Sequence, residues 1–124
     1  MKIYISHSSK IDYVKELYNP LRNSELATIH QFLFPHERGL GLFPTRELFA
    51  KHGCDIVFAE VSFPSHGQRI ELGWAYDRGI RIIFGSKPEV KLSPSLALLS
   101  QEFFTYSGNL DLVSKLENIL LWLF

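Results

Sequence analysis

Between Cys54 and Ser86 two apolar runs, "CDIVFAEV" and "IRIIFGS", flank a stretch with the length and polarity of a helix, "SHGQRIELGWAYDRG". Neither run alternates apolar with polar residues, so each needs cover on both faces, the condition of an interior strand in a parallel sheet. The pattern recurs along the chain. "KIYIS" (2–6) reads as a first strand running into the polar loop "SHSSK", and "IDYVKELYNPLRNS" has helical spacing at Tyr13, Val14, Leu17 and Leu21. Pro20 is expected to break or kink that helix. "ATIHQFLF" reads as a second strand and "PHERGLGLFP", Pro35 to Pro44, as a loop. "TRELFAKHG" reads as a helix with Thr45 as N-cap and Gly53 just past its end. After "IRIIFGS" come a proline-containing loop, a short helix, a fifth strand "EFFTYS" and a closing helix "NLDLVSKLENILLWLF" with Asn109 near its cap. The apolar end of that last helix must close the core or face a partner.

Strands alternating with helices imply an α/β fold: a flavodoxin/Rossmann-like three-layer sandwich on a five-stranded parallel sheet, order 2-1-3-4-5. Residues 1–124 form a single domain in this reading. Ligands of such sheets bind at the carboxyl ends of the strands, where strands one and three diverge. The loops "SHSSK" and "SFPSHGQ" are expected to face one another there, across one crevice.

Composition narrows the function. Lys+Arg and Asp+Glu are equal at 13 each, so no global field attracts a nucleic-acid polymer, whereas a small anion needs only local donors. Cys54 is the single cysteine, which excludes an internal disulfide and fits a reducing cytoplasm. "MKIYISHSSK" turns polar too early for a signal peptide, and no apolar run approaches the ~18 residues of a membrane span. A cytoplasmic protein without a membrane partner is expected. His7, His30, His36, His52, His66 and Cys54 show no H-x-x-x-H, H-E-x-x-H or C-x-x-C spacing, so neither a metal nor another cofactor is expected. "PSHG" likewise lacks the nucleophile-elbow pattern of a serine hydrolase.

The residue that stands out is Glu71. One turn into the helix, its neighbours at i−4, i−3, i+3 and i+4 are Gly67, Gln68, Trp74 and Ala75, none of them basic. An acid near a helix start can simply complement the macrodipole. Placed beside the crevice, the same carboxylate can serve as a nucleophile towards an electrophilic sugar carbon. Ser65 and Gln68 have capping-box spacing, and Gly67 opens the turn. Free N–H groups at such a helix start also suit an anion. Ser6, His7 and Ser8 offer donors after the first strand, and Tyr4 can belong to the core or present its hydroxyl to a carboxylate. Glu47 and Glu60 are both candidates for protonating a leaving group.

Across "CDIVFAEVSFPSHGQRIELGWAYDRGIRIIF" the chain resembles the nucleoside 2-deoxyribosyltransferase superfamily, closest to its 2′-deoxynucleoside 5′-phosphate N-hydrolase branch. The shared pattern is a strand ending in A-E-V, then P-S-x-G, then E-L-G-x-A and another apolar strand. The resemblance implies an N-glycosidase for nucleoside 5′-monophosphates, with Glu71 as nucleophile and Tyr4 positioning it. Glu47 stands where the family usually has aspartate, which assists departure of the base. Ser65 matches a serine that binds the 5′-phosphate; the transferases carry an acid there, which a phosphate would avoid. Arg69 stands where small residues are usual, and adds a phosphate contact or crowds the pocket. Ser95, or else Ser93, matches a serine that reaches a neighbouring subunit's phosphate site, so a homodimer is implied. Base exchange is the enzymatic alternative. "YISHSSK" also resembles the opening of TIR domains, some of which are NAD glycohydrolases. A non-catalytic nucleotide-binding or sensor module on the same scaffold is the rival from another class.

Overall fold

The computed structural model describes residues 1–37 and 43–123; the middle of the loop expected from Pro35 to Pro44 therefore lies outside the described residues. Five parallel strands, β1 (Lys2–His7), β2 (Gln31–Leu33), β3 (Ile56–Glu60), β4 (Arg81–Ser86) and β5 (Phe103–Thr105), form one sheet in the order β2-β1-β3-β4-β5. The expected order is the observed one. Alternation along the strands feeds two cores. Ile3, Ile5, Ile56, Phe58 and Ile83 pack with Leu17 and Leu21 and with Leu112, Leu116 and Leu120 of the closing helix α5 (Asn109–Leu121). Tyr4, Val57, Ala59, Ile82 and Phe84 pack on the opposite face with Phe49 of α3 (Thr45–Ala50) and with Leu72 and Ala75 of α4 (His66–Asp77). Leu110 and Leu121 on α5, and Trp122 just past its end, stay exposed. Among the described residues no helix is long and apolar enough to cross a membrane.

Four local expectations are corrected. Of the break or kink expected at Pro20, the break does not occur: Val14–Tyr18 forms a wide π turn, with the Asn19 amide reaching the Val14 carbonyl, and Pro20 lies in the first turn of α1 (Asn19–Arg22). A missing N–H costs least there. The second strand is shorter than expected because Leu26–Ile29 is a helical turn, α2, with the His30 amide bonded to the Leu26 carbonyl. Its pairing starts only where the Gln31 amide meets the Met1 carbonyl. Thr45 is not the cap of α3; Pro44 holds that position and the Thr45 hydroxyl turns inward. Past α3 the left-handed residue is His52, φ 53°, not Gly53. Gly53 serves close approach instead, since a Cβ there would lie 2.5 Å from Leu48 Cδ1.

The loop after β1, which borders the crevice, is held by a buried imidazole. His7 Nδ1 lies 2.9 Å from the Ser8 carbonyl, which can only accept, so Nδ1 carries the proton. Nε2 then accepts from the Tyr18 hydroxyl at 2.7 Å, and that oxygen in turn accepts the His36 amide. Tyr13 stacks on the His7 ring. The neutral form is required, and burial lowers the imidazole to about 4. Because the unfolded side chain takes up a proton near pH 6.5 and the folded one does not, stability falls as pH drops from about 6.5 to about 4.

Two measurements check this packing. Gly85 faces the Phe58 ring, where a Cβ would lie 2.8 Å from Cε1 and Cζ; Phe58 stacks on Phe104 with 8° between planes and has no room to yield. Gly85→Ala is expected to lower unfolding free energy by about 1–3 kcal/mol in urea titrations; an unchanged midpoint contradicts the packing. In urea titrations across pH 7 to 4, the wild type is expected to lose up to about 3 kcal/mol more than His7→Gln over the same interval. Parallel curves contradict the buried neutral imidazole.

Candidate active site

A cleft of about 610 Å³ opens at the carboxyl ends of β1 and β2, between α3 and the first half of α4. Glu71, Tyr4, His7, Glu47, Ser65 and Gly67 all line it. The two loops expected to face each other contribute His7 and Ser9 on one side and Ser65, Gly67 and Gln68 on the other, and the crevice is completed by Pro35, His36 and the stretch from Phe43 to Glu47.

Glu71 hangs from α4 over the β1 face that carries Tyr4 and Ser6, two residues apart and so on one side of the strand. The Ser6 hydroxyl donates to Oε1 at 2.5 Å and the Tyr4 hydroxyl to Oε2 at 3.0 Å. The chain thus supplies each oxygen with one neutral donor. Among the described residues no lysine or arginine pairs with it. Burial raises the carboxyl's pKa above the ordinary range, and the two hydroxyls oppose that rise. Tyr4 is pushed far up by burial and then by the Glu71 charge, so it stays protonated and able to donate. A half-buried carboxylate, oriented by two hydroxyls and facing a cleft, is equipped to attack an electrophilic carbon.

Ser65 caps α4 as its spacing suggests, its hydroxyl accepting the Gln68 amide at 3.2 Å. The reciprocal half of the capping box is missing: the Gln68 side chain donates instead to the Glu60 carbonyl at 2.9 Å, fixing α4 to the end of β3. A Cβ on Gly67 would meet nothing within 4 Å, so this glycine leaves the helix start open to the cleft rather than relieving a clash.

The remaining candidates separate. Ser6 serves Glu71 and does not line the cleft. Both ring nitrogens of His7 are engaged inside the protein. Ser8 is buried, its hydroxyl accepting the Lys10 amide. Arg69 is exposed and borders a second cavity, of about 50 Å³, with Lys91 and Ser93; Ser65 and Gln68 line both this cavity and the cleft. Ser95 is exposed on the short helical turn Pro94–Leu98, its hydroxyl 2.8 Å from that of Ser93. Of the two acids left open as proton donors, Glu47 reaches the cleft and Glu60 does not. Glu60 is enclosed, accepting from the Ser62 amide and hydroxyl and from the Tyr106 hydroxyl. Spacing did not reveal Thr45, whose hydroxyl lies 2.8 Å from that of Tyr4, or Arg46 at the cleft wall. Trp74, three residues beyond Glu71, also lines the cleft, as helical periodicity allows.

No family model matches the chain, and no curated protein matches it. Solved structures do. The CMP N-glycosidase BcmB of Clostridium botulinum is similar at a TM-score of 0.66 and 16% identity, over 94% of this chain and 99% of that one. A conserved protein from Enterococcus faecalis V583 is similar at a TM-score of 0.58 and 15% identity, over 95% of this chain and 98% of that one. At such identities the likeness establishes a shared α/β fold along nearly the whole chain.

Proposed function

We propose that this protein is an N-glycosidase of the nucleoside 2-deoxyribosyltransferase superfamily, cleaving the base–sugar bond of nucleoside 5′-monophosphates, probe substrates being the 2′-deoxy forms. The observation that carries the reading is the Glu71 carboxylate, paired with no cation among the described residues and held over a cleft by Ser6 and Tyr4. The fold shared with a CMP N-glycosidase supports a nucleotide as substrate.

A Glu71 oxygen attacks the anomeric carbon as the carbon–nitrogen bond breaks, the bonding pair leaving with the base. This forms a glycosyl ester. Glu47, exposed at the cleft wall, is the side chain suited to deliver a proton to the departing base. Water then attacks the same carbon and gives a proton back to Glu47, the ester opens, and the Glu71 carboxylate is regenerated with release of the sugar 5-phosphate. Ser65 and the open start of α4 receive the 5′-phosphate, since hydroxyl and amide donors attract an anion that an acid at this position would repel. A homodimer, with Ser95 approaching a second copy's phosphate, completes this reading; Ser95 stands outside its own chain's cleft.

Wild-type protein incubated with dCMP, dGMP, dAMP and CMP is expected to release free base, read by chromatography. Glu71→Gln is expected to lose about 10³-fold or more in kcat/KM. Release at the wild-type rate by that variant contradicts the mechanism. A new nucleotide formed on adding an acceptor base assigns base exchange instead of hydrolysis. Because attack needs the ionised carboxylate and burial raises its pKa, the acid limb of the pH–rate profile is expected above an ordinary glutamate's value of about 4.3. An acid limb at or below that value contradicts the buried nucleophile.

A further inference from the structure

We infer that Thr45 is a positioning residue for Glu71, acting through Tyr4: a directed chain of hydroxyls, Thr45 to Tyr4 to Glu71, orients the tyrosine's proton onto the carboxylate. The inference deepens the proposed function and rests on that reading for its consequence in catalysis.

Counting protons fixes the direction. The Tyr4 oxygen lies 3.0 Å from Glu71 Oε2 and 2.8 Å from Thr45 Oγ1, and each hydroxyl has one proton to give. An ionised carboxylate only accepts, so Tyr4 donates to Glu71. Its own oxygen then accepts from Thr45. The other acceptor within reach of Thr45 is the Phe43 carbonyl at 3.5 Å, the outer limit of a hydrogen bond. The chain therefore runs one way, and each donor polarises the next.

The placement of Thr45 agrees. It is buried as the first residue of α3, one place after the cap position, which Pro44 holds, and α3 has no side-chain cap. The hydroxyl is used across the cleft floor instead. Packing alone does not require it there, since valine has the same shape. Tyr4 itself is wedged between the rings of Phe43 and Phe49, so its oxygen has little freedom to find another donor. Among the described residues, the other titratable or charged side chains lining the cleft are His7 from β1, His36 after β2, and Arg46 and Glu47 from α3. None of these four side chains hydrogen-bonds to Glu71, Tyr4 or Thr45.

The test reads Glu71 directly, by NMR titration of isotope-labelled glutamate carboxyls, its signal assigned by its loss in Glu71→Gln. Thr45→Val is expected to raise the Glu71 midpoint by about half a pH unit, as one polarising donor is removed. Thr45→Ser is expected to restore the wild-type midpoint. In a Tyr4→Phe background the Thr45→Val exchange is expected to shift nothing further, whereas a merely structural role adds its effect in both backgrounds. With nucleotide, Thr45→Val is expected to lower kcat about fivefold and leave KM within about twofold. An unmoved midpoint in Thr45→Val, or equal shifts in the presence and absence of the tyrosine hydroxyl, overturns the inference. If Thr45→Val does not fold, Thr45→Ala is titrated in its place, with the same midpoint shift expected and the same results overturning the inference. Absence of base release by the wild type overturns the N-glycosidase reading instead, and leaves the titration to decide the hydroxyl chain.

Discussion

A carboxylate buried without a cation must be held by neutral donors or it will take up a proton, and in this protein two hydroxyls of β1 do the holding. Ser6 and Tyr4 meet one oxygen each of Glu71. Their opposition to the effect of burial keeps an anionic form accessible, with no lysine or arginine among the described residues to quench its nucleophilicity. Everything else in the site depends on that contact, since it joins the first strand of the sheet to the fourth helix and sets where the carboxylate points.

The strand order makes the contact possible. β1 lies between β2 and β3, so its side chains at positions 4 and 6 sit beneath the helix that crosses from β3 to β4. Gln68 ties that helix to the Glu60 carbonyl, and Ser65 fixes its first turn. Glu60 offers an instructive contrast. It too is a buried carboxylate on uncharged donors, but Ser62 and Tyr106 enclose it, and the loop after β3 is anchored as a result, with the Lys87 amide bonded to the Ser62 hydroxyl. One acid is spent on architecture and the other faces the cleft; the difference is access, not chemistry.

Much of this was legible in the residues. Uninterrupted apolar runs identified β3 and β4, alternation with helices gave the sheet order, and the uncharged surroundings of Glu71 marked it before any coordinates. What escaped was directional. A threonine ahead of a helix looks like a cap by sequence, and only the geometry shows its hydroxyl reaching Tyr4 instead. Ser6 read only as one of several donors after the first strand, and its place on the strand turns that donor to the carboxylate. The helical turn at Leu26–Ile29 was hidden because "ATIHQFLF" is short and rich in β-branched and aromatic residues, and such runs do not distinguish a helical turn from a strand.

The central claim is that Glu71 becomes bonded to the sugar, and trapping that bond tests it most directly. A nucleoside 5′-monophosphate with fluorine at the 2′ position slows breakdown of a glycosyl ester by disfavouring positive charge at the anomeric carbon. After incubation and proteolysis, mass spectrometry is expected to find the fluorinated sugar phosphate on the peptide containing Glu71, and on no other. Base release from this analogue with the adduct on a different residue, or with no adduct in a rapidly quenched sample, would contradict the account.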